Sequence, residues 1–221
     1  MKKLLFFVIV FTASQLLYAQ TEIAYDSTTD VHRYAIQAQL YDYRSNNEQN
    51  SYRTVSIKGS PFLYKSWQTG TIPLANNRSL TLPLNYNILE DYLFISMIDG
   101  EKQVFPETFT ILDKTFVRIN NQYYEAVYLG QTKLLRKYRA RLDAVEKNGY
   151  NEALKYDYEY IKSEDLYIQT ARRALQPVKL TEKSLLSRLS HHPSARVIVR
   201  EQNLNLRSEK DVVTLLSTLE Q

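Results

Sequence analysis

The 221-residue chain has no cysteine, which removes disulfides, thiolate nucleophiles and every cysteine-based metal site at once. Glycine is scarce. Its five copies, Gly59, Gly70, Gly100, Gly130 and Gly149, build neither a phosphate-cradling loop nor the G-x-S-x-G turn that presents a nucleophilic serine. Histidine is limited to His32, His191 and His192, and the adjacent pair points in different directions from an extended chain with no third ligand at a metal spacing. No metal and no cofactor is therefore expected. An excess of one charge is also missing: 28 basic residues face 24 acidic ones, too even a balance to argue for nucleic acid or another polyanion.

Long apolar runs are absent apart from Leu4 to Phe11, about half of the ~20 residues that a membrane-spanning helix needs. That run follows Lys2 and Lys3 and precedes the small, polar stretch Thr12 to Gln20. This is the grammar of a secretory signal peptide over residues 1 to 19, cut after Ala19. Without a cysteine beyond the run, lipoprotein attachment is excluded. The expected mature chain begins at Gln20, has no transmembrane segment, and resides in the periplasm or travels on to the surface or medium. About 200 residues that are 44% apolar over the whole chain, with 18 Tyr and 8 Phe, are enough for an ordinary core.

What is present reads mainly as strand. Residues 20 to 54 form an N-terminal segment and linker, in which Val31 to Tyr43 suits either strand or short helix and the polar Ser45 to Ser51 suits a loop. Residues 55 to 179 form a β-meander domain. Leu80, Leu82, Leu84 and Tyr86 alternate with Thr81, Pro83 and Asn85, which predicts one buried and one wet face, and Pro83 predicts an edge or a bulge. Tyr92 to Ile98 is apolar on both faces. Asp99-Gly100 is the strongest hairpin signal, with two positive φ values expected, and Asn76-Asn77, Asn120-Asn121 and Asp113-Lys114 repeat the pattern. Strands continue through Gln122 to Leu129 and Lys133 to Arg141, then Lys155 to Ile161 and Asp165 to Thr170, separated by an irregular or short helical crossing at Asp143 to Ala153.

Residues 180 to 221 change character. Leu180 to Leu189 reads as a helix capped by Thr181, Pro193 opens a second, and Ser208 with Asp211 makes a capping box for a third. The expected fold is α+β, mainly β: an antiparallel meander or open barrel-like sheet of about eight to ten strands, then three short C-terminal helices. Gly59-Ser60-Pro61-Phe62-Leu63, Trp67, Gly70, Asn85-Tyr86-Asn87, Asp91, Phe116, Gly130 before Leu134-Leu135, and Ser208 to Leu216 together give the chain its resemblance to a family. It resembles a family of short, uncharacterised exported β-rich proteins of Bacteroidetes-type bacteria. The resemblance implies export and this architecture, and brings no catalytic residues with it.

Two features are candidate binding sites. Lys137, Arg139 and Arg141 share one face of their strand, a cationic row that suits either an anionic ligand or a guarded sheet edge. Tyr156, Tyr158 and Tyr160 share a face of another strand and can stack on a sugar ring or a peptide, although tyrosine also simply packs well in sheets, as do Tyr123, Tyr124 and Tyr128. The carboxylate pairs Glu90-Asp91 and Glu164-Asp165 are adjacent residues near strand ends and read as solvated turn groups rather than an acid/base pair. The expected function is a non-enzymatic envelope module that binds another protein or a surface glycan. The alternative is a hydrolase of envelope glycan or peptide.

Overall fold

A computed structural model describes residues 21–42, 47–146, 154–170 and 174–221. The expected signal peptide and most of the expected crossing at 143 to 153 lie outside these residues. Among the described residues there are thirteen strands and three helices, so the fold is α+β and mainly β as expected, with more strands than the eight to ten anticipated. No helix among them is long and apolar enough to cross a membrane. The chain divides into two compact units.

The first unit comprises the described residues of Met1–Gly59 and Ala144–Glu159. Its strands β1 (Thr21–Asp26), β2 (Val31–Asp42) and β3 (Asn47–Lys58) pair antiparallel in sequence order, with β2 and β3 in unbroken register from Val31↔Lys58 to Asp42↔Asn47. Val31 to Asp42 thus resolves as strand, and Tyr43 lies outside the described residues. Residues 47–51, expected in a loop, instead open β3. Polar side chains suit a turn, but a twelve-residue ladder fixes them as strand once β2 is alongside. The first residues of β12 (Tyr158–Gln169), Tyr158 and Glu159, lie parallel to Ile57 and Lys58.

The second unit comprises Ser60–Asp143 and Tyr160–Gln221. Its strands are β4 (Gln68–Pro73), β5 (Ser79–Asn87), β6 (Tyr92–Met97), β7 (Gly100–Val104), β8 (Thr108–Ile111), β9 (Lys114–Ile119), β10 (Gln122–Leu129), β11 (Lys133–Ala144), the rest of β12, and β13 (Gln176–Val178). The strand order is β12-β11-β10-β9-β8-β4-β5-β6-β7, with β13 against β12. Two meanders are therefore joined where β4 meets β8. Gly70 makes that junction: a Cβ there would fall within 2.5 Å of the Thr110 carbonyl oxygen and would also collide with Leu84.

The turns follow their residues. Asn120 and Asn121, at φ 50° and 62°, form the two-residue loop between Ile119 and Gln122, and Asn76 and Asn77 adopt φ 60° and 54° between β4 and β5. At β6–β7 only Gly100 turns positive, at φ 113°, so the hairpin stands but its loop is Ile98-Asp99 closed by glycine, not the expected pair of positive residues. Similarly the β8–β9 loop is Leu112-Asp113, one residue earlier than expected.

The sheet of the second unit curls. Tyr86 on β5 packs edge-to-face on Phe109 of β8, Phe116 of β9 and Tyr123 of β10, at ring-centre separations of 5.8, 5.3 and 5.8 Å. In a flat sheet β5 and β10, four places apart, would be roughly 19 Å from each other. Leu84, Leu93, Phe109, Ile111 and Phe116 are fully enclosed in this core. Leu80, expected on the buried face of β5, is 39% exposed, and of the expected wet face Thr81 and Pro83 are exposed while Asn85, like Asn87 beyond it, is only 5% exposed. The segment after Gly59 lies there, with Leu63 N donating to the Tyr86 carbonyl and Ile88 N to that of Pro61. Pro83 lies just beyond Leu84↔Ile95, the last pair of the β5–β6 ladder, where its missing N–H leaves nothing unpaired.

The helices α1 (Glu182–Arg188), α2 (Ala195–Glu201) and α3 (Glu209–Leu219) build a second core with Leu134, Ile168 and Val178. Thr181 caps α1 through Ser184 N, and Ser208 caps α3 through Asp211 N. The capping box is only half formed, because the Asp211 carboxylate accepts from Asn205 N instead. At the far end Glu220 accepts from Gln131 N, Thr132 N and the Tyr128 hydroxyl, tying the β10–β11 turn to the helical tail.

Candidate functional site

The site begins at a tight turn. The Asn87 side-chain oxygen accepts from Leu89 N and Glu90 N at 3.0 and 3.1 Å, which bends the chain after β5 and leaves Asp91 in the left-handed region at φ 65°. That conformation aims the Asp91 carboxylate inward. It receives the Tyr86 hydroxyl, Tyr123 N at 3.3 Å, and the Lys137 ammonium at 2.5 Å. Lys137 also donates to the Tyr123 carbonyl at 3.2 Å and lies 5.3 Å from the centre of the Tyr124 ring. With 4% exposure, Lys137 is buried, and burial pushes its amine below the ordinary lysine range although Asp91 works against that shift. Burial and the adjacent Asp91 carboxylate both drive the Tyr86 phenol far above its usual range.

Above this pair is a pocket of about 180 Å³, walled by Ile88, Leu89, Asp91, Gln122 and the β11 stretch from Lys137 to Ala140. A shallower, more apolar groove of about 350 Å³ shares Ile88 and Tyr138 with it and continues to Leu63 and Lys162–Glu164. Behind Tyr138 is a second charged cluster. Glu125, 8% exposed, takes the Tyr138 hydroxyl at 2.5 Å, Lys114 at 3.0 Å and Arg136 at 3.3 Å. Burial alone would lower the Lys114 amine, but its bonds to Tyr138 and Glu125 prevail and hold it above the ordinary range.

The cationic row is present and each member has a carboxylate. Lys137 faces Asp91, Arg139 places Nε 3.1 Å from Asp165 and Nη2 2.6 Å from the Tyr167 hydroxyl, and Arg141 lies 3.0 Å from Asp143. The sheet-edge reading fails, because β11 lies between β10 and β12. Charged residues can occupy an interior strand here because carboxylates neutralise them, Asp91 and Asp165 from distant parts of the sequence and Asp143 from the same strand.

The tyrosine row is divided. Tyr156 precedes β12, is 9% exposed and takes a 3.4 Å bond from Lys58, whereas Tyr158 and Tyr160 lie on the strand itself, the first exposed and the second half-buried. Residues 158–169 form one continuous strand where two were expected. In β10, Tyr123 enters the aromatic core and Tyr124 meets Tyr167 at 5.6 Å on the other face, which is packing rather than an exposed row. Trp67, the one tryptophan, is half-buried.

Glu90 and Asp91 point to different partners, Tyr92 and Asn87 for the first and Lys137 for the second. Asp91 is consequently no solvated turn residue. Glu164 and Asp165 likewise separate to Arg136 and Arg139. The rings of His191 and His192 lie 4.2 Å apart, and no cluster of three metal-type side chains exists among the described residues. Gln122 and Tyr138, which wall the pocket, carried no sequence signal beyond being polar strand residues. Comparison with known proteins finds no family model, no curated protein and no solved structure that matches the chain.

Proposed function

We propose that the chain is an exported, non-enzymatic module of the cell envelope that binds another protein or a surface glycan at the Asp91–Arg139 pocket and its adjoining groove. Export rests on the signal grammar of residues 1 to 19, with Gln20 as the mature N-terminus and the periplasm as the first destination; the family resemblance belongs to the same proposal. The observation that carries the binding reading is the state of the charged groups at the pocket. Asp91, the carboxylate that lines the pocket, is held by Lys137, and Arg139 is held by Asp165, so the side chains are fixed for recognition, and the lining offers Asp91 no second carboxyl with which to act as acid and base.

Incubating the mature protein with isolated envelope glycan and with envelope peptides tests this. The expected result is retention of the protein on one of the two with no new reducing end and no new peptide terminus. Release of either product at a rate abolished by Asp91→Asn would establish the hydrolase instead.

A further inference from the structure

We infer that the 180 Å³ pocket is a subsite for a single neutral sugar ring; this deepens the binding-module reading and rests on it. Size restricts the occupant first. At ~30 Å³ of liquid volume per water the pocket holds about six waters, well short of the ~300 Å³ at which drug-sized ligand sites begin. One ring fits and an oligomer does not, but the adjoining groove of about 350 Å³ offers contiguous room for a second unit against the Tyr138 ring.

Chemistry restricts it further. A sugar hydroxyl both donates and accepts, and a ring alternates hydroxyls with apolar C–H faces, so its site needs acceptors, donors and an apolar patch together. Asp91 supplies the acceptors. Arg139 and Lys137 supply donors, and Gln122 contributes its amide N–H groups because its oxygen already accepts from the Tyr124 hydroxyl at 3.0 Å. Leu89, 41% exposed, and the enclosed Ile88 supply the apolar surface.

The pocket is also preorganised. Arg139 is held at two nitrogens by Asp165 and Tyr167, and Asp91 by Lys137, Tyr86 and Tyr123, so little side-chain freedom is lost on binding. Charge then selects among sugars. Lys137 is cancelled by Asp91 and Arg139 by Asp165, so a uronic acid would gain no net attraction and would bring its carboxylate up to Asp91. The fit is to a neutral ring.

Titrating the mature chain with glucose, galactose, mannose, N-acetylglucosamine and glucuronate, and following its amide resonances, decides the matter. The expected result is that at least one neutral sugar shifts the amides of Leu89 to Asp91, Gln122 and Arg139 at millimolar concentration, with no dependence on salt. Glucuronate is expected to bind about tenfold more weakly, a difference of about 1.4 kcal/mol. Gln122→Ala and Leu89→Ala, both at exposed positions, should each weaken binding several-fold without moving the melting temperature. Silence with every neutral sugar, a salt-dependent preference for glucuronate, or full affinity in both variants overturns the subsite. Retention on whole envelope material in the face of that silence would leave the binding module standing and remove only the sugar.

Discussion

The Lys137 ammonium lies 2.5 Å from the Asp91 carboxylate, and the two residues are 46 positions apart in sequence. This pair joins the β5–β6 turn to the middle of β11 and forms the floor of the pocket. Removing one partner of such a pair leaves a buried charge alone. Asp91→Ala should therefore destabilise the protein by about 3 kcal/mol, the lower end of the usual range because the Asp91 side chain retains 19% exposure. Adding Lys137→Met to that variant should recover much of the loss, as urea unfolding of the single and double variants will read. Equal stability of Asp91→Ala and wild type would mean that the pair contributes nothing to the fold.

Two glycines should fail for different reasons. Gly70→Ala places a methyl against the backbone of β8 and should cost about 1 to 3 kcal/mol through overpacking. Gly100→Val meets open space, so any loss there, again about 1 to 3 kcal/mol, arises from forcing a β-branched residue to φ 113°. Gly100→Ala separates the two causes: open space receives its methyl without a clash, so its loss reads the positive φ alone and should be smaller than that of valine. Thermal melts of the three variants check the order.

Acid should loosen the first unit at its β1–β2 turn. The Thr28 hydroxyl, then that of Thr29 and the Thr28 amide, hold the Asp26 carboxyl down at about 2 from an ordinary 3.8. A carboxylate lowered by folding contributes stability that is complete above pH 3.8 and lost as the pH falls toward 2. Thr28→Val removes the largest of these bonds. An NMR titration should then find the Asp26 carboxyl closer to 3.8, and an unmoved titration would show that the hydroxyl plays no part.

How much of this was legible in the sequence depended on the range of the interaction responsible. Asn120-Asn121, Thr181 and Ser208 act within a few residues, and each appears where local chemistry placed it. The alternation of Leu84 and Tyr86 likewise identified the core face. Residues 47–51 misled because their polarity is local whereas their partner β2 is not, and Asp99 misled because a glycine one position later can close the same hairpin. The cationic row was visible, but its carboxylates Asp91 and Asp165 lie 46 and 26 residues from their partners, so nothing local distinguished a neutralised interior strand from a charged edge. Gln122 and Tyr138 became pocket walls only through the curl of the sheet.

The most direct test of the account is capture from the native envelope fraction with immobilised mature protein, comparing wild type with an Arg139→Gln, Gln122→Ala double variant of unchanged melting temperature. The wild type is expected to retain one protein or one glycan reproducibly, at low and moderate salt alike, and the double variant to retain at least about tenfold less, a loss of about 1.4 kcal/mol. Equal retention by the two proteins would contradict it, since binding would then lie elsewhere on the molecule.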